Sequence, residues 1–183
     1  MRQLFFVVFL FMLILINATA QQTTAQTAAE VSFTFTRQSG HATNQFAIWI
    51  EDSQGRHIKT LNVTRFTARG GWSRRPDSIP IWVKQSGVAE MTRVQIDAVS
   101  NATPRTGTLI FTWDGTNSRG TSVPDGEYLL VLEGTLRWEN RVIYHSPIVL
   151  GQGATTAEIT VEYFGESVAE HSMLSNVRVR ALR

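Results

Sequence analysis

Hydrophobic and polar positions alternate with a period of two along much of the chain beyond residue 30. Val31, Phe33 and Phe35 alternate with Ser32, Thr34 and Thr36, the pattern of a strand with one buried face. Phe46, Ile48 and Ile50 repeat it in QFAIWIED; DSQG (52–55) then makes a turn into RHIKTLNV, so the two runs read as a hairpin. Further on, TGTLIFTWDG (106–115) puts Leu109, Phe111 and Trp113 on one face. EYLLVLEGTLRW, RVIYHSPIVLG, TAEITVEYFG and NVRVRAL are four more segments rich in β-branched and aromatic residues. Residues 65–88 hold Gly70-Gly71 and RRPDSIP and read as a long connection or a short helix, while MTRVQID (91–97) reads as a strand or a helix end. No window sustains a helical stripe for three turns. About nine short strands at roughly 8–12-residue spacing predict an all-β fold, an immunoglobulin-like antiparallel β-sandwich with a long connection near residues 65–90.

The first residues change the picture of where this fold works. A positive start, Met1-Arg2-Gln3, leads into the unbroken apolar run Leu4–Ile16 and then to Ala18-Thr19-Ala20. That is the layout of a cleaved secretory signal peptide over residues 1–20; the run is shorter than the roughly 20 residues a spanning helix needs. Residues 21–29 (QQTTAQTAA) read as a flexible leader, and residues 30–183 as one β-sandwich domain, exported or periplasmic, with no stable membrane insertion after cleavage. No cysteine is present. A disulfide framework, a lipidated cysteine, thiolate metal sites and c-type haem attachment are thereby excluded. The charge is nearly balanced, which gives no reason to expect nucleic acid as a partner.

Candidate chemistry is sparse. His41, His57, His145 and His171 have no clamp spacing, and no hydrolase, zincin or phosphate-loop motif occurs. Between Arg56 and Arg75 lie Arg56, Lys59, Arg65, Arg69, Arg74 and Arg75 with no acidic residue, and with Phe66 and Trp72 interleaved. This is either an electropositive face for a phosphate-bearing planar ligand or a solvated strand face and loop. Asn17, Asn62 and Asn101 head three-residue glycosylation sequons. The remaining stretch of interest is VQIDAVSNATPRTG (94–107), which sets Asp97, Ser100, Ala102 and Thr103 in tight order before Pro104. Pro104 disfavours the α region for Thr103 and so promotes an extended backbone there.

Three resemblances bear on these residues. The segment WDGTNSRGTSVPDGEYLLVLE (113–133) resembles the immunoglobulin-like repeat of flagellar hook-capping proteins, in which a Trp-Asp-Gly turn leads through a Gly-rich loop to a Pro-x-Gly-x-Tyr. Asp97-x-x-Ser100-x-Ala102-Thr103 is similar to the Asp-x-x-Ser/Thr-Gly-Ala-Thr signature of exported flavoproteins, with Asn101 where glycine is usual. Third, the order FAIWIED, QGRHIKTL, a middle bearing Trp72 and Trp82, DAVSNATP, the Trp113 segment and IYHSPIVLG resembles the periplasmic family called domain of unknown function 2271, over roughly residues 31–163.

The flavoprotein resemblance implies a covalent FMN, esterified through its phosphate to Thr103 by a flavin transferase. Asp97 and Ser100 would then be recognition residues, Ala102 a small neighbour, and Trp72 and Trp82 the aromatic groups near the cofactor. The partners would be that transferase and a membrane or periplasmic redox protein, and the chain would be an electron carrier rather than a stand-alone enzyme. The other class of function is a non-catalytic immunoglobulin-like binding or structural module of the cell envelope, which needs only the strands read from periodicity.

Overall fold

The computed structural model describes residues 26–39, 44–165 and 173–183. The expected signal peptide, most of the leader, His41 and His171 lie outside the described residues. Among the described residues ten strands form two sheets. β1 (Ala29–Phe35), β2 (Gln45–Asp52) and β3 (His57–Thr64) come first, β2 and β3 as the expected hairpin; β4 (Ser100–Asn101) and β5 (Gly107–Trp113) follow the long connection. β6 (Gly126–Arg137), β7 (Asn140–Leu150), β8 (Thr155–Thr156), β9 (Thr160–Phe164) and β10 (Leu174–Ala181) complete the set. The sheets run β5-β1-β10-β8 and β4-β3-β2-β6-β7-β9. Every pairing is antiparallel except β3 with β4. The chain is thus the all-β sandwich that the alternation predicts. Ala28 and Ala29 are already buried, so the folded part starts before residue 30.

The inward face of each strand fills the space between the sheets. Val31, Phe33 and Phe35 of β1 meet Phe46, Ile48 and Ile50 of β2, with Leu130, Leu132 and Tyr144 behind them. Phe33 and Phe46 pack edge to face at 5.6 Å between centroids, a geometry favoured by the ring quadrupoles. At the β5–β6 crossing the turn resembling the hook-capping repeat closes as its residues suggest. The Trp113 Nε1–H donates to the Thr116 carbonyl at 2.8 Å, and the Tyr128 hydroxyl donates to the Pro124 carbonyl at 2.8 Å. Lys59 Nζ of β3 donates to Asp114 Oδ1 at 2.8 Å and to Thr116 Oγ1 at 2.7 Å, fastening this turn to the other sheet.

The long connection is where the architecture exceeds the expectation. Residues 65–99 form a kinked helical turn (Thr67–Gly71), α1 (Trp72–Arg74), α2 (Pro80–Ser86), a 3-10 turn (Val88–Glu90) and α3 (Arg93–Val99). These pack on the outer face of the six-stranded sheet and build a second core. Ala47, Trp49, Val63, Val131 and Ile143 from the sheet meet Ala68, Ile79, Trp82 and Val88 from the connection. Trp49 and Trp82 are fully buried; at 150–250 Å² each and ~25 cal/mol per Å², each burial contributes about 5 kcal/mol. Coverage on both faces explains why QFAIWIE is buried at every position. MTRVQID yields a helix rather than a strand: Thr92 Oγ1 accepts the Gln95 N–H while Gln95 Oε1 accepts the Thr92 N–H, a reciprocal capping box.

Candidate functional site

The stretch 94–107 leaves the outer layer and enters the sheet edge. α3 carries Asp97 and ends at Ser100, whose backbone (φ −106°, ψ 132°) is already extended. Ser100 and Asn101 then pair in parallel with Val63 and Thr64 of β3. Ser100 is buried and its hydroxyl has no hydrogen-bond partner among the described residues. Asn101 is not at positive φ. No turn requires glycine there; instead the Asn101 Nδ2 donates to Asn62 Oδ1 at 2.7 Å. Ala102 is exposed and Thr103 half-buried.

Asp97 points to the outer surface. Arg69 donates to its Oδ1 through Nε (3.0 Å) and Nη2 (2.7 Å), and Arg93 Nε stands 3.8 Å from its Oδ2. Both partners of the Arg69 pair are about two-fifths exposed, so the pair positions α3 against the kinked turn more than it stabilises the fold. Three other cations of the 56–75 run are engaged separately. Arg56 pairs with Asp52, Lys59 with Asp114, and Arg75 lies over the Phe66 ring at 5.1 Å. The run is split between the far end of β3 and the helical layer.

The two tryptophans expected near a cofactor sit in the second core. Trp72 is partly buried against it; Trp82 is fully buried, and its Nε1–H donates to Thr60 Oγ1 at 3.0 Å. Thr60 Oγ1 lies 2.8 Å from His57 Nε2. Burial lowers the His57 pKa to about 4, so its ring is neutral at pH 7. His57, Thr60, Leu61, Met91, Ala98 and Val99 line part of a cavity of about 350 Å³ between β3, β5 and α3.

A buried carboxylate that periodicity alone does not reveal holds the layer in place. Glu133 of β6 is fully buried and accepts the backbone N–H groups of Trp82 (2.9 Å) and Ile81 (3.3 Å), the first turn of α2. The α2 N-cap residue, Ile79, has left-handed backbone and no capping side chain, so the neighbouring sheet supplies the cap. Burial pushes Glu133 up to about 7; the two N–H donors and Arg141, 3.7 Å away, oppose that rise.

No described residue hydrogen-bonds the Thr103 hydroxyl. Among the described residues no three His, Asp or Glu side chains gather as metal ligands. The family model described as "Predicted periplasmic protein (DUF2271)" matches residues 26–166. The chain belongs to this family. The matched DUF2271 region runs from the start of β1 past β9, and includes the helical layer and all of the stretch 94–107. A periplasmic location agrees with the signal peptide read from the sequence. No helix among the described residues is long and apolar enough to cross a membrane. No curated protein and no solved structure matches the chain.

Proposed function

We propose that this DUF2271 protein carries FMN covalently on Thr103 and passes electrons outside the cytoplasm. The observation that carries the reading is the state of Thr103: a half-buried residue whose hydroxyl has no hydrogen bond among the described residues, beside the exposed Ala102. Asn101 in place of glycine is compatible, because its backbone is not at positive φ. Attachment exchanges the Thr103 O–H for an O–P ester. The hydroxyl proton passes to a base on the transferase, its oxygen bonds the FMN phosphorus of a flavin dinucleotide, and the pyrophosphate bond breaks to release the nucleoside monophosphate. Bound FMN would supply the electron chemistry; this chain's part is to present the hydroxyl and orient the group. Asp97, held by Arg69, offers the transferase a fixed carboxylate one helical turn before the acceptor strand.

Co-expression with a flavin transferase tests the reading by intact mass and in-gel fluorescence. One added FMN that disappears in Thr103→Ala supports it. An unmodified wild-type protein, or modification that survives in Thr103→Ala, refutes it and leaves the envelope binding module. That second reading has an observation of its own: the edge strands β5 and β9 expose Ile110, Val161 and Tyr163, and exposed apolar edge strands pair readily with a partner strand.

A further inference from the structure

The cavity of about 350 Å³ lies apart from Thr103. Its β3 wall is residues 57–61, whereas β4 joins β3 at Val63 and Thr64 and runs in the same direction, away from that wall. Leu61, Met91, Ala98 and Val99 give the cavity an apolar part, Gln95, Thr112 and Ser118 an uncharged polar rim, and no acidic side chain among the described residues lines it. Lys59 also lines it, but its ammonium is already occupied by Asp114 and Thr116. The site therefore carries no free charge.

The hydrogen bonds on its polar side assign the protons. Indole N–H only donates, so Trp82 Nε1 gives its hydrogen to Thr60 Oγ1. For the Thr60 hydroxyl proton, His57 Nε2 at 2.8 Å is the acceptor. The opposite tautomer would leave that buried hydroxyl proton with no acceptor among the described residues, at a cost of roughly 1–3 kcal/mol. Nε2 is thus the lone-pair nitrogen, and the ring proton resides on Nδ1. No described residue accepts from His57 Nδ1. The chain from Trp82 through Thr60 to His57 ends in one unspent donor on a ring that lines an uncharged cavity.

We propose that this cavity is a binding site for an uncharged planar heterocycle with a carbonyl or ring-nitrogen acceptor. His57 Nδ1–H donates to the acceptor, and Leu61, Met91 and Val99 cover the ring. An acceptor is required because the open group is a donor. Charge is disfavoured because an anion held there would leave water without gaining a free cation. Planarity follows from walls formed by a strand on one side and a helix on the other. The size lies within the range of small-molecule pockets, roughly 300–1,000 Å³. The inference does not rest on flavin attachment at Thr103.

Lumiflavin is a suitable probe: planar, uncharged at pH 7, bearing two carbonyl acceptors, fluorescent, and lacking the phosphate needed for attachment. The full chain, produced without a transferase, is titrated with it. Saturable quenching at micromolar concentration is expected, unchanged in Thr103→Ala. His57→Phe, which keeps a ring and removes the donor, should weaken binding about tenfold, the effect of one hydrogen bond. Ala98→Trp, at an exposed position of α3 on the cavity, should abolish it while the unfolding temperature is retained. No saturable binding by the wild-type chain up to millimolar probe overturns the proposal. So does wild-type affinity in both His57→Phe and Ala98→Trp.

Discussion

Glu133 in the six-stranded sheet accepts the Trp82 backbone N–H at 2.9 Å, so a strand residue caps a helix 51 positions away in the chain. Its carboxyl is pushed by burial from 4.5 to about 7. Between those values the folded protein holds a proton that the unfolded chain has released, so the contribution of Glu133 to stability falls as pH rises through the window and is level above it. Glu133→Gln keeps an oxygen for the two N–H groups and removes the titration. In urea unfolding, the change in stability from pH 5 to pH 8 should be less favourable in the wild type than in Glu133→Gln by roughly 3 kcal/mol. Equal changes in both proteins would contradict the assignment.

His57 acts in the opposite sense. Its folded pKa is about 4 against 6.5 for the free side chain, so as pH falls through that range the unfolded chain takes up the proton first and stability declines. Between about pH 4.5 and 6.5 the two buried groups offset each other, and the wild-type profile should be flatter than that of either variant. Thermal unfolding across this range should slope downward with rising pH in His57→Phe and upward in Glu133→Gln.

Asn101→Gly restores the usual residue of the flavin-attachment signature. It removes the bond to Asn62, and the expected cost is about 1 kcal/mol. Because Asn101 is not at positive φ, the flavin load after transferase co-expression should stay at the wild-type level. A large gain in flavin content would show that the Asn101 side chain, rather than the backbone, limits the reaction.

The kinked turn before α1 has one position that tolerates no side chain. A Cβ added at Gly71 would run into the Phe66 carbonyl oxygen, and backbone cannot give way as a side-chain end does. Gly71→Ala should lower stability by roughly 1–3 kcal/mol, in the range of overpacking changes. Gly70→Ala meets no neighbour but carries φ +90°, so its cost, about 1 kcal/mol, comes from backbone strain alone. Denaturant midpoints of the two variants separate these causes.

The strands were legible because one face of each is buried and the other is not, as in Val31, Phe33 and Phe35. The alternation misleads at VQID. Val94 is 80% exposed, so its spacing from Ile96 reports no buried face. The deciding signal was Thr92-x-x-Gln95, a capping pair visible in the sequence. Glu133 illustrates the other limit. In VLEGT it looks like an outward polar residue, and only a helical layer arriving from far along the chain buries it. The Trp82–Thr60–His57 chain is illegible for the same reason: its members come together through tertiary packing, with no fixed spacing. The Asp97–Thr103 order was legible as a motif, but its support by Arg69 and Asn62 was not.

One consequence of the β3–β4 pairing concerns timing. Ser100 and Asn101 take their extended shape from Val63 and Thr64 across the entire helical layer, and such long-range closure is reached only once the intervening chain has ordered. A thread crossing the membrane unfolded has no such strand. On the proposed reading, a transferase that recognises residues 97–103 through their shape acts on the finished domain and not on the unfolded chain.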